Sequence, residues 1–141
     1  MNVETYHIEI NTRGNCDLID ITDSVRNTVV ESGLESGTVT AFIPGSTAAI
    51  TTIEYESGAV NDFKAAVERL APRNIRYDHD ARWGDGNGFS HVRAALLGPS
   101  LSIPFNQKRL LLGTWQQIVL VDFDNRPRSR KINLQLVGTG K

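Results

Sequence analysis

The chain has 141 residues, 15 lysines and arginines against 16 aspartates and glutamates, one cysteine and 40% hydrophobic residues. That length fits one domain with a core large enough to fold unaided; ordinary apolar content excludes disorder, and a net charge of −1 excludes a binder drawn to nucleic acid by basic excess. No apolar run reaches the roughly 18 residues of a membrane span, the start Met1-Asn2-Val3-Glu4 lacks a signal pattern, and lone Cys16 forms no intramolecular disulfide, so residues 1–141 are expected to be one cytoplasmic domain.

Val3 to Asn11 alternates Thr5, Tyr6, Ile8 and Ile10 with polar partners, which predicts a half-buried strand broken at Arg13-Gly14-Asn15. From Asp20 the spacing of Ile21, Val25, Val29 and Val30 predicts a short helix, with Thr22 or Asp23 as its cap and Gly33 as its stop. Strands follow at Thr38 to Pro44 and Ala48 to Tyr55, joined by the tight turn Pro44-Gly45-Ser46-Thr47. Val60, Phe63, Val67 and Leu70 form the clearest amphipathic stripe, a helix ended by Pro72. Residues 73–87 are polar and irregular, and a loop this long that holds Tyr77 and Trp83 reads as ordered and functional.

Ser90 to Leu97 resumes a helix with Val92, Ala95 and Leu96 inward, stopped by Gly98-Pro99. The last third reads as strands at Leu101 to Pro104, Arg109 to Leu112, Gln117 to Phe123 and Lys131 to Val137. Asp124 to Arg128 is expected to be a hairpin turn between the final two. About seven strands and about three helices without βαβ alternation predict an α+β domain with a mixed sheet.

Chemistry concentrates between Asp78 and His91, where His79, Asp80, Asp85, Asn87 and Ser90 also fall. Carboxylates and imidazoles bind divalent ions or move protons. Glycines 84, 86 and 88 would let backbone amides approach an anion, and Asn87-Gly88 leads into a helix start. The plainer alternative is that Asp and Asn here only cap the helix. Ser46 and Thr47 could hold a phosphate from their turn, or be an ordinary turn. Glu54 and Glu56 would share one strand face. Trp115 reads as a core or subunit-interface residue. Arg126, Arg128, Arg130 and Lys131 cluster near the end and could meet phosphates or stay solvated.

Three stretches carry a resemblance: Phe42-Ile-Pro-Gly-Ser-Thr-Ala-Ala-Ile-Thr-Thr-Ile-Glu54, Asn87-Gly-Phe-Ser-His-Val-Arg-Ala-Ala-Leu-Leu-Gly98 and Leu112-Gly-Thr-Trp-Gln-Gln-Ile118. With the link from Gly98 to Pro104 and the run Arg126 to Arg130, the chain resembles the YjbQ family, also described as secondary thiamine-phosphate synthases. The resemblance implies a homotrimeric α+β domain that joins hydroxymethylpyrimidine pyrophosphate to a thiazole phosphate and releases pyrophosphate. The alternative is a non-catalytic trimer that binds a phosphorylated small molecule.

On that likeness Asp85, Asn87 and His91 are the expected catalytic residues. Ser46, Thr47, Glu54, Gly86, Gly88 and Arg93 are expected to touch the phosphorylated metabolite. Gly45, Gly84 and Phe89 stand where family members often carry histidine, and Lys108 where glycine is usual. A metal would therefore use Asp85 and His91, with Glu54 as a further candidate, and oxygen donors favour Mg²⁺ among divalent ions. Acidic and amide groups gather at 78–91 and arginines at 126–130, so a trimer that joined the two regions would build a charged pocket.

Overall fold

In the computed structural model, which describes residues 1–140, the chain begins with a long edge strand. β1 (Asn2–Thr12) runs antiparallel to β8 (Arg128–Thr139) without a break, from Asn2 opposite Gly138 to Thr12 opposite Arg128. β8 also pairs with β3 (Ser36–Phe42), β3 with β5 (Ser100–Asn106), and β5 with the two-residue β6 (Arg109–Leu110). The first sheet therefore has the order β1-β8-β3-β5-β6. A second sheet places β7 (Gln117–Asp122) between β2 (Asp17–Asp20) and β4 (Ala48–Ile53).

The α+β class is as expected. In place of one mixed sheet of about seven strands, eight strands among the described residues form two sheets, and every pairing there is antiparallel.

Two-residue periodicity explains how the layers stack. Along β7, Ile118 and Leu120 enter a core shared with Ile132, Leu134 and Leu136 of β8 and with Val25 and Val29 of α1 (Thr22–Ser32). Val119 and Val121 point the other way, into a second core with Ala94 and Val67. Those two residues belong to α4 (Gly88–Leu97) and α2 (Ser57–Leu70). A strand apolar on both faces is what a middle layer requires. No helix is long and apolar enough to cross a membrane among the described residues.

Several local expectations change. β2 lies in a stretch too short to show periodicity. Asp20, at its end, accepts hydrogen bonds from the Thr22 amide and hydroxyl and so starts α1. Residues 124–127 are no hairpin, because β7 and β8 sit in different sheets and the segment carries the chain between layers. The central loop contains a fourth helix, α3 (Asp78–Trp83). Glu54 falls beyond β4, and the Glu56 carboxylate caps α2 by accepting from the amides of Gly58 and Ala59, so the two share no strand face. Trp115 is exposed, not part of the core.

The buried face of α4 also differs. Phe89, Ser90, Arg93 and Ala94 are buried, whereas Val92, Ala95 and Leu96 are exposed. Arg93 is held inside because its Nε donates to the Ala71 carbonyl at 3.0 Å and its Nη2 donates to the Glu68 carboxylate. Its guanidinium also lies over the Phe89 ring. The first residue of the helix packs closely against the preceding segment. A Cβ on Gly88 would stand 2.6 Å from the Tyr77 Cβ, and its amide donates to Asp80 Oδ1 at 2.8 Å.

Candidate functional site

Four separate segments meet at one open pocket of about 380 Å³. The turn after β3 brings Gly45, Ser46 and Thr47; α3 brings His79 and Trp83. The segment leading into α4 and the helix itself add Asp85, Asn87 and His91, and the start of β8 adds Arg128 and Arg130. One chain alone thus joins the acidic stretch 78–91 to the arginines, a meeting for which the sequence reading had considered only a trimer.

The arginines are fixed by two aspartates with no solvent exposure, Asp122 and Asp124. Arg130 donates to Asp122 through Nε (2.8 Å) and Nη2 (2.9 Å), and Thr12 Oγ1 donates to the same carboxylate at 2.6 Å. Arg130 Nη2 also donates to Thr47 Oγ1, which passes a hydrogen bond on to Asp124 Oδ2 at 3.0 Å. Arg128 donates to Asp124 through Nε at 2.9 Å, with its Nη2 at 2.7 Å. Burial pushes the Asp124 carboxyl up, yet hydrogen bonds from Arg128, the Asn125 amide, Asn87 and Thr47 outweigh it and hold the group at about 2. Both guanidiniums are therefore held in place before any ligand arrives. Gly45, at φ 120°, lets the turn pass close beside Arg130, because a Cβ there would stand 3.3 Å from Nη1.

His79 and Asp85 of the lining, together with Asp80, form a group that could hold a metal ion. Donor atoms of His79, Asp80 and Asp85 lie within 4.8 Å of one another. His79 Nδ1 is 3.5 Å from an oxygen of each aspartate, yet it is buried without a hydrogen-bond partner. Among the described residues only one other buried side-chain atom is unpartnered, Asn87 Oδ1, and it belongs to the same pocket. Buried polar atoms are rarely left without a partner, whether protein, water or bound ligand. The His79 and His91 rings stack, tilted by 41° with centroids 4.3 Å apart.

Ser46, Thr47, Asp85, Asn87 and His91 thus lie together as the sequence reading grouped them. The other named positions lie elsewhere. Gly86 is not among the lining residues and lies near Asn125, whose Nδ2 donates to the Asp85 carbonyl. The Gly88 amide is committed to Asp80, and Arg93 is committed to Glu68 and Ala71. Glu54 lines a separate cleft with Asp20 and Trp115. His79 and Asp80 were visible as part of an acidic, histidine-bearing run, but only the turn of α3 shows that they face Asp85. Asp122 and Asp124 read as strand and turn residues, and nothing local marks them as the anchors of the arginines.

The profile of the family described as UPF0047 protein YjbQ-like matches residues 6–139. A UPF0047 protein of Methanothermobacter thermautotrophicus is 36% identical over 138 residues, covering 98% of this chain and 94% of that protein. UPF0047 protein YugU of Bacillus subtilis is 32% identical over 132 residues, covering 93% and 97%. Among solved structures, a YbjQ-like protein of unknown function from Sulfolobus solfataricus superposes with a TM-score of 0.87 at 30% identity, covering 97% of this chain and 99% of that one.

Proposed function

The chain belongs to the UPF0047, YjbQ-like family, and on that footing we propose that its pocket binds the phosphate end of a small phosphorylated metabolite together with a divalent metal ion. The observation that carries this reading is the bare, buried His79 Nδ1 beside Asp80 and Asp85, in the pocket that also presents Arg128 and Arg130.

Charge supports the pairing of metal and anion. Asp80, Asp85, Asp122 and Asp124 set four negative charges against the two of Arg128 and Arg130, which leaves a deficit that a divalent ion cancels. An anion alone would meet repulsion from Asp85. His79, Asp80 and Asp85 would hold the ion. A set of one imidazole nitrogen and carboxylate oxygens favours Mn²⁺ or Zn²⁺ over the Mg²⁺ favoured from the sequence. His91 enters through its contact with His79 and as a wall of the pocket. Once bound, the ion would supply positive charge to phosphate oxygens.

The finer reading is the one the sequence resemblance implies. A thiazole nitrogen forms a bond to the methylene carbon of hydroxymethylpyrimidine pyrophosphate, the carbon–oxygen bond breaks, and pyrophosphate leaves with the electron pair. This chain's residues would do little covalent work. Arg128 and Arg130 would stabilise charge on the leaving pyrophosphate, and Ser46 and Asn87 would orient it. Assembly as a homotrimer is part of the proposal, supported by the exposed apolar side chains of Phe42, Val92 and Leu96.

The test is direct: purified protein, both substrates and Mn²⁺, Zn²⁺ or Mg²⁺, with thiamine phosphate and pyrophosphate measured. Formation of both with at least one of these ions supports the transferase. No product, with metal-dependent binding of pyrophosphate retained, leaves the alternative of a non-catalytic binding protein.

A further inference from the structure

The pocket holds a hydrogen-bond acceptor that an anion of bare oxygens does not satisfy. Asn87, at the entrance to α4, is only 6% exposed and is part of the lining. Its Nδ2 donates to Asp124 Oδ1 at 3.3 Å. Turned over, the amide would set its own oxygen against that carboxylate, which stays ionised because its pKa is held at about 2. The nitrogen is thus locked toward Asp124 and Oδ1 is turned away from it. Oδ1 is buried and has no hydrogen-bond partner. The nearby donors are directed elsewhere: the Thr47 hydroxyl to Asp124, Arg128 to Asp124, and Arg130 to Asp122 and Thr47. Resting on the reading that the pocket takes a phosphate, we propose that Asn87 is its discriminating residue. Oδ1 accepts a hydrogen bond from a protonated oxygen of the bound anion, so the site prefers an oxyanion that keeps a proton to one of the same shape that has none.

The lining residues divide by what they offer. Arg128 and Arg130 only donate, so they grip any ionised oxygen and treat phosphate and sulfate alike. The Ser46 hydroxyl both donates and accepts and suits either anion. Asp85 accepts, but the reading above gives its carboxylate to the metal ion. The Asn87 amide oxygen only accepts, and it reverses the demand made by the arginines. Sulfate placed there sets lone pair against lone pair and leaves Oδ1 unpaired inside the protein, whereas hydrogen phosphate turns its O–H toward it. A site built around such a contact rejects an analogue that lacks the hydrogen more strongly than shape alone would.

The experiment is calorimetric titration of inorganic phosphate, arsenate and sulfate, with Mn²⁺ at fixed concentration, into the wild-type protein and Asn87→Ala. At pH about 8 all three are mainly tetrahedral dianions, and phosphate and arsenate keep a proton that sulfate lacks. Phosphate and arsenate are each expected to bind the wild type about tenfold or more tightly than sulfate. Asn87→Ala is expected to bring both ratios close to one. Asp124 keeps its hydrogen bonds from Arg128, Thr47 and the Asn125 amide in that variant, so the arginines stay anchored. A merely structural role for Asn87 would weaken all three anions alike and leave the ratios unchanged. Asn87→Ser, with a residue favoured at helix N-caps and too short to reach the position of Oδ1, takes its place if alanine impairs folding. Three results overturn the role of Asn87 while the phosphate reading stands: equal affinity of the wild type for phosphate and sulfate, arsenate that binds as sulfate does, or ratios that persist in the folded variant. Failure of phosphate to bind the wild type at all removes the phosphate reading, and the role of Asn87 with it.

Discussion

Arg130 grips both oxygens of the Asp122 carboxylate, through Nε at 2.8 Å and Nη2 at 2.9 Å, in a pair with Asp122 wholly buried and Arg130 nearly so. The pair links the end of β7 to the start of β8 and so ties one sheet to the other where the pocket opens. Removing one partner leaves a buried charge uncompensated, which typically costs about 3–5 kcal/mol. Arg130→Met and Asp122→Asn are each expected to destabilise strongly in urea titrations. The double variant should lose clearly less than their sum. Additive losses would mean that the two side chains do not act as a pair.

Asp124 gives a pH signature. Its folded pKa of about 2 lies below the ordinary 3.8, so its contribution to stability is complete above about 3.8 and fades as pH falls through about 2. The shift corresponds to about 2 kcal/mol. Unfolding measured between pH 5 and 2 should show this loss in the wild type and a shallower slope in Asp124→Asn. Parallel curves would place the acid sensitivity elsewhere.

The proposed metal site predicts a specific loss. His79→Ala is expected to weaken binding of Mn²⁺ or Zn²⁺ by at least about tenfold, as removal of a positioned ligand does. Folding should be retained, because α3 carries no fully buried side chain. Equal metal affinity in the variant would show that any ion sits on other residues.

Gly88 tests how the site is assembled. Gly88→Ala puts a methyl group where the Tyr77 Cβ is 2.6 Å away, and backbone or ring must move to admit it. Such overpacking costs about 1–3 kcal/mol. The helix that carries Asn87 and His91 at and near its start should shift with it, so metal affinity is expected to fall along with the melting temperature. An unchanged melting temperature would contradict the close contact.

Much of the fold was legible because its signals are local. The alternation in residues 3–11, the breaks at Gly33 and Pro72 and the doubly apolar run at 118–121 each report their own environment. What was illegible depended on distant partners. Arg93 looked available because nothing in its own helix shows that Glu68 and the Ala71 carbonyl, more than twenty positions earlier, receive it. The inward face of α4 was misjudged for the same reason, since an apolar stripe at 92, 95 and 96 and a buried Arg93 both satisfy helical spacing. Residues 124–128 look like a hairpin turn to any local rule, and only the assignment of β7 and β8 to different sheets makes them a crossing. Half of the candidate pocket, from Ser46 to His91, was visible in residue types that bind phosphates and metals. The arginine half was visible only as a basic cluster, because its purpose depends on Asp122 and Asp124 holding it over the pocket.

The central claim is that this pocket binds a phosphate anion together with a divalent metal, and calorimetry with inorganic pyrophosphate tests it most directly. The expected result is binding in the presence of Mn²⁺ and little without it, with Arg128→Ala weakening the complex by about tenfold or more through loss of one charged contact. Pyrophosphate binding of equal strength without metal, or no binding in either condition, would contradict it.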